Sequence, residues 1–117
     1  MKKKIAILGS TGSIGQTSLN IIKKNLKEFN IFLLSANSSY NLINNQIKIY
    51  KPKIFVVNDP KIFTAVKKKY KNKKIKIYNK FSEVPLSKIK LDITISSIVG
   101  IAGLEPTIKF IKKSKKV

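Results

Sequence analysis

The sequence predicts an α/β domain: a parallel sheet with helices on both faces. Three observations predict it. Short apolar runs alternate with amphipathic stretches along the chain, the pattern of strand–helix–strand crossovers. The first apolar run ends in glycines at 9, 12 and 15, which is how a strand turns sharply into a helix. The 117 residues suit one domain with its own core, and no linker or internal repeat divides them.

The elements follow in order. Ile5 to Leu8 is a continuous apolar run, as in a strand buried on both faces. Ser13 to about Leu26 reads as a helix, with Ile14, Ser18, Ile21 or Ile22, and Leu26 on one face. Ile31 to Ala36 is a second buried strand. Tyr40 to Tyr50 is a second helix, with Ile43, Ile47 and Tyr50 on its apolar stripe, and Pro52 stops it. Ile54 to Val57 is a third strand, closed by Asn58-Asp59-Pro60. Ile62, Ala65, Val66 and Tyr70 mark a short third helix. Lys67 to Lys74 holds six lysines and reads as a solvated helix end and loop. Ile75 to Tyr78 reads as extended, and Phe81 to Ile89, broken by Pro85, has no assignment. Leu91 to Val99 is a further strand. Gly103 opens a last helix, with Pro106 in its first turn and Leu104, Ile108 and Ile111 on its apolar face. Another strand is due after Lys115-Lys116-Val117, so the sheet is expected to be cut short at its C-terminal end.

The glycine turn carries the chemistry. Gly9 allows the sharp turn, Gly12 lets backbone approach a phosphate, and Gly15 lets the helix pack closely on the sheet. The helix start offers free N–H groups and a partial positive charge to an anion. Thr11 and Ser13 add hydroxyl donors, and Ser13 is in position to cap the helix. The spacing is G-x-x-G-x-x-G rather than G-x-G-x-x-G. A plain glycine-rich turn is the alternative, but the flanking strand and helix favour a Rossmann-like fold holding a dinucleotide's pyrophosphate.

The second strand bears on which dinucleotide. NAD binders place an acid about 20 residues beyond the glycines. Here the strand ends in Ala36-Asn37-Ser38-Ser39. Without an acid, a 2′-phosphate meets no repulsion, and Asn37, Ser38 and Ser39 can donate to it, so NADP is preferred. Asn37 and Ser38 also read as caps of the next helix. Gly100-Ile101-Ala102-Gly103, after Ser96 and Ser97, is either a tight turn before a helix or backbone lining the nicotinamide side of the crevice.

Composition excludes several chemistries. There is no cysteine and no histidine. That removes disulfides, thiol nucleophiles, a Ser-His-Asp triad and histidine-ligated metal. The five acids, Glu28, Asp59, Glu83, Asp92 and Glu105, form no catalytic pair or metal spacing, and each reads as structural. The net charge is +20 and every basic residue is lysine. Lysines spread over surface-like segments without arginine argue against a specific nucleic-acid footprint and for weak polyanion attraction at low salt. Behind Met1-Lys2-Lys3-Lys4 the apolar stretch is too short for a signal peptide, and no run reaches a membrane span. The expectation is a soluble, cytoplasmic chain without membrane contact.

Gly9-Ser10-Thr11-Gly12-Ser13-Ile14-Gly15 closely resembles the opening of the 1-deoxy-D-xylulose 5-phosphate reductoisomerases. So does Ile98-Val99-Gly100-Ile101-Ala102-Gly103-Leu104-Glu105-Pro106-Thr107, and Tyr50-Lys51-Pro52-Lys53 running into Ile54–Val57 is a third echo. The blocks keep their order along nearly the whole chain. Other glycine-turn reductases share the first block and lack the second. The resemblance implies an NADPH-dependent enzyme of the non-mevalonate isoprenoid route. Such an enzyme converts a sugar phosphate, 1-deoxy-D-xylulose 5-phosphate, to 2-C-methyl-D-erythritol 4-phosphate with Mg²⁺ or Mn²⁺, as a homodimer. It implies that Thr11, Gly12, Ser13 and Ile14 touch the cofactor. Residues 1–117 are then an NADP(H)-binding, Rossmann-like domain, a fragment of a longer enzyme and inactive alone. The family's metal ligands, Asn-Lys-Glu substrate segment and lid are expected beyond 117. After the second strand the family has Gly-Lys-Asn, where this chain has Asn37-Ser38-Ser39. The rivals are another NAD(P)-dependent reductase domain, or a non-enzymatic dinucleotide- or polyanion-binding module.

Overall fold

The computed structural model describes residues 3–24, 27–85, 89–96 and 114–116. In chain order these form β1 (Lys3–Leu8), α1 (Ser13–Lys23), β2 (Phe29–Ala36), α2 (Tyr40–Tyr50), β3 (Ile54–Val57), α3 (Pro60–Lys69), β4 (Lys76–Tyr78), a 3₁₀ turn at Phe81–Glu83, β5 (Leu91–Ser96) and β6 (Ser114–Lys116). The six strands make one sheet in the order β4-β3-β2-β1-β5-β6, and every pairing is parallel. The α/β parallel architecture expected from the alternating runs is therefore the one observed. β6 pairs with β5 through Leu91 with Ser114 and Ile93 with Lys116 and forms the outer strand on that side. The expected helix from Gly103 falls outside the described residues.

The sheet is buried by alternation. Ile5 and Ile7 of β1, Ile31 and Leu34 of β2, and Phe55 and Val57 of β3 pack with Leu19 and Ile22 of α1, Ile43 and Ile47 of α2, and Val66 of α3. These three helices thus share one face. Ala6, Leu8, Leu33, Ile54 and Val56 point the other way, against Val84, Ile89 and Leu91 on the return path from β4 to β5. Each fully buried aliphatic side chain contributes about 1.5–3 kcal/mol.

β2 interrupts the period of two. Ile5 pairs with Ile31 but Ala6 pairs with Leu33, so Phe32 is an extra residue, a bulge. Its carbonyl accepts from the Lys53 amide at 3.0 Å, and its ring lies 5.1 Å below the Lys4 ammonium. The bulge places Phe32 and Leu33 toward the same side, and Leu34 and Ala36 toward the helices.

Helix ends match local chemistry. Tyr40–Tyr50 ends at Lys51, whose φ of 47° is left-handed, directly before Pro52. Pro60 opens α3, and Asp59 caps it by accepting from the Lys61 and Ile62 amides at 2.9 and 3.2 Å. Among the described side chains of α1 the buried positions are Gly15, Leu19 and Ile22, whereas Ile21 is 61% exposed. The expected choice between Ile21 and Ile22 therefore falls to Ile22. Leu26 lies outside the described residues. Ala65, one of the residues that marked α3 in the sequence, is exposed.

Candidate functional site

The chain fills the sheet from β1 outward to β4, then returns to β5 on the other side of β1. The strand order reverses between β1 and β5. In open α/β sheets the ligand crevice lies at that point, beyond the carboxyl ends of the strands. The glycine turn leaves β1 there.

Gly9 has φ 78°, a left-handed conformation that a side chain would strain. Its carbonyl accepts from the Gly12 amide at 3.1 Å and closes the turn. A Cβ on Gly15 would lie 2.3 Å from that same carbonyl oxygen and 2.7 Å from Ser10 Cα. Only glycine lets α1 sit this close. The N-cap of α1 is Gly12, with φ −76° and ψ 173°, and no side chain caps the helix. The expected cap, Ser13, is instead the first helical residue. A helix leaves its first amides without intrahelical acceptors. With a bare glycine at the cap, no capping side chain takes them up.

Buried polar bonds hold the turn from behind. Ser10 is fully buried, and its amide donates to the Ser35 carbonyl at 2.7 Å. Its hydroxyl donates to the same carbonyl at 3.2 Å. The Gly9 amide donates to Ser35 Oγ at 3.0 Å. From α2, Gln46 Nε2 donates to the Ser10 carbonyl at 2.9 Å. From α1, Gln16 Nε2 donates to the Thr11 carbonyl at 2.8 Å. Ser35, Gln46 and Gln16 escaped the sequence reading. The signal was there: Ser35 interrupts an apolar run, and Gln46 sits on the buried stripe of α2 beside Ile43 and Ile47.

β1 and β2 are parallel neighbours with Leu8 opposite Ser35. Thr11 to Ile14 and Asn37 to Ser39 therefore rise from the same sheet edge. Asn37, Ser38 and Ser39 are exposed. Ser39, not Asn37 or Ser38, is the N-cap of α2, and its side chain makes no capping bond. The loop is fixed through backbone instead. Ala36 and Asn37 carbonyls accept from the Asn58 and Asp59 amides at 3.0 and 3.1 Å. Gly100 to Gly103 and Ser97 lie outside the described residues, and Ser96 ends β5.

Asp92 and Glu83 make structural bonds to backbone amides. Asp92 Oδ2 accepts from the Lys4 amide at 2.8 Å. Glu83 Oε1 accepts from the Asn79 and Lys80 amides at 3.2 and 3.0 Å. Among the described residues no three His, Cys, Asp or Glu side chains gather to hold a metal. Burial raises the Tyr50 phenol above its ordinary pKa. It does the same at Tyr70, helped by Tyr40, and Tyr70 donates to Asn44 Oδ1 at 2.9 Å. Both phenols stay protonated and neutral. Among the described residues no helix is long and apolar enough to cross a membrane.

Sheet order, turn and uncapped helix start define the class: a Rossmann-type α/β domain of the kind that binds dinucleotides. Comparison narrows it. The model of the 1-deoxy-D-xylulose 5-phosphate reductoisomerase family matches residues 5–117, and the chain belongs to that family. The enzyme of Pelagibacter ubique is 42% identical over 98% of this chain. That of Thermodesulfovibrio yellowstonii is also 42% identical over 98%. The chain spans 30% of the length of each. Among solved structures, the Zymomonas mobilis reductoisomerase in complex with NADPH aligns with TM-score 0.85 at 27% identity, covering 97% of this chain and 30% of that one. A reductoisomerase in complex with NADPH, fosmidomycin and magnesium aligns with TM-score 0.82 at 25% identity, covering 92% and 27%.

Proposed function

We propose that residues 1–117 are the NADPH-binding domain of a 1-deoxy-D-xylulose 5-phosphate reductoisomerase. The glycine turn carries this reading. It sits at the reversal of strand order, and Gly15 admits backbone where a Cβ would collide. The donor set fits the cofactor: amides for the diphosphate, and Asn37, Ser38 and Ser39 for the 2′-phosphate. The NADPH complexes of two structural relatives support it.

Bound NADPH supplies a hydride. The chain's own residues bind and orient. The uncapped amides at Ser13 and Ile14, with Thr11 and Gly12, receive the diphosphate, and the helix N-terminus favours its charge. Asn37, Ser38 and Ser39 bond the 2′-phosphate without an acid to repel it. The described residues do not fit the magnesium that a relative holds, so metal and substrate belong to the rest of the full-length enzyme. That enzyme rearranges 1-deoxy-D-xylulose 5-phosphate and reduces the product to 2-C-methyl-D-erythritol 4-phosphate, as a cytoplasmic homodimer. Residues 1–117 alone then turn nothing over.

The test is a fluorescence titration of the full-length protein with NADPH. Saturable binding that is lost on blocking the glycine turn is expected. Absence of saturation refutes the reading.

A further inference from the structure

Two side-chain amides meet the glycine turn from outside it. Gln46 reaches from α2 to the Ser10 carbonyl at 2.9 Å. Gln16 reaches from α1 to the Thr11 carbonyl at 2.8 Å. Both line one cleft of about 250 Å³ between α1 and α2. The carbonyls of two successive turn residues are thus engaged by side-chain amides. A carbonyl oxygen carries partial negative charge, and aimed at a phosphate it would repel it. Oxygens at the rim of an anion site are best engaged elsewhere.

Gln46 stands out energetically. It is only 5% exposed and occupies the core-facing stripe of α2, where an aliphatic residue would pack. Its Oε1 is buried with no hydrogen-bond partner. A buried polar group without its bonds is destabilising. Its orientation therefore rests on the bond from Nε2 to Ser10. Reversing the amide would set Oε1 against the Ser10 carbonyl, oxygen to oxygen.

We propose that Gln46 and Gln16 are positioning residues of the diphosphate turn. Their amides take up the Ser10 and Thr11 carbonyls, so that neither oxygen is turned toward the anion. This inference rests on the NADPH reading above.

The experiment uses the full-length protein with Gln46→Met and Gln16→Met. Methionine keeps the length and removes the donor. Gln16 is exposed, so its variant decides the matter if Gln46→Met fails to fold. NADPH affinity is read by fluorescence titration. Affinity for 2′-AMP, which carries the adenosine and 2′-phosphate but no diphosphate, is read by competition. Each variant is expected to bind NADPH about three- to tenfold more weakly, the worth of one hydrogen bond, with 2′-AMP affinity within about twofold of the parent. Unchanged NADPH affinity overturns the proposal. Equal loss for both ligands also overturns it, since the glutamines then support the fold generally. A parent protein that does not bind NADPH overturns the cofactor reading itself, and this proposal with it.

Discussion

Alanine in place of glycine inside a helix ordinarily stabilises it by about 1 kcal/mol. At Gly15 the sign should reverse. The added Cβ would lie 2.3 Å from the Gly9 carbonyl oxygen, 2.7 Å from Ser10 Cα and 2.9 Å from the Ser10 carbonyl carbon. Non-bonded carbons settle at about 3.5–4.0 Å, so the overlap is about 1 Å. All three atoms are backbone, and no rotamer relieves them. Ser10 cannot retreat, because its amide, hydroxyl and carbonyl are all bonded. α1 must lift instead, loosening Leu19 and Ile22 from the sheet. Overpacking of this kind costs about 1–3 kcal/mol, enough to outweigh the propensity gain. The lift also carries the first-turn amides away from the diphosphate. A hydrogen bond to a charged group contributes about 1.5–3 kcal/mol, so losing one weakens NADPH binding about tenfold or more. Thermal unfolding and NADPH titration of full-length Gly15→Ala measure both effects, with exposed Asn20→Ala as the control. A variant that melts higher than the parent, or binds NADPH equally well, refutes the close packing of helix on turn.

Three other outcomes are expected. Asp59→Ala removes the two bonds that cap α3 and should destabilise by about 1 kcal/mol; chemical denaturation reads it, and NADPH affinity should stay unchanged. Asn37→Asp places an acid where the 2′-phosphate arrives and a ribose 2′-hydroxyl could be held, so titration with NADPH and NADH should show preference shifting toward NADH. The net charge of +20 repels itself in the compact state, so the melting midpoint should rise from low salt to about 150 mM, where the Debye length is about 8 Å; retention on a polyanion column should disappear over the same range.

Hydrophobic periodicity made most of the sheet legible. α2 and β3 fall at Tyr40–Tyr50 and Ile54–Val57, because β-branched runs and a proline stop mark them locally. The Phe32 bulge was hidden, since an alternating pattern cannot show that one residue is extra until the partner strand fixes the register. Choosing Ile22 over Ile21 likewise needs the sheet that α1 packs on. β4 has three residues in a lysine-rich stretch and is held by pairing with β3, not by its own composition. At the site, glycine spacing exposed the turn but not its support. Ser35 and Gln46 are separated from Ser10 by 25 and 36 positions, and only the crossover brings them together. A polar residue interrupting an apolar stripe was the signal available.

Cofactor choice can be argued one step further. Where the resemblance implies a lysine after the second strand, this chain has Ser38. On the NADPH reading a lysine there would contribute a local ion pair with the 2′-phosphate, whereas Asn37, Ser38 and Ser39 would contribute neutral hydrogen bonds. On that reading, preference for NADPH over NADH would draw on two sources: those bonds, and the broad positive potential of the lysine-rich surface acting on the extra charge. The second is long-ranged and screened; the first is neither. Ser38→Lys should therefore raise the NADPH-to-NADH affinity ratio by about three- to tenfold at low salt, within the range of an exposed charge-assisted contact. The parent ratio should fall as salt rises and then level off at the contribution of the neutral bonds. Titrations of both nucleotides across a salt series measure this. A parent ratio that does not move with salt would leave the lysine-rich surface no part in the selection.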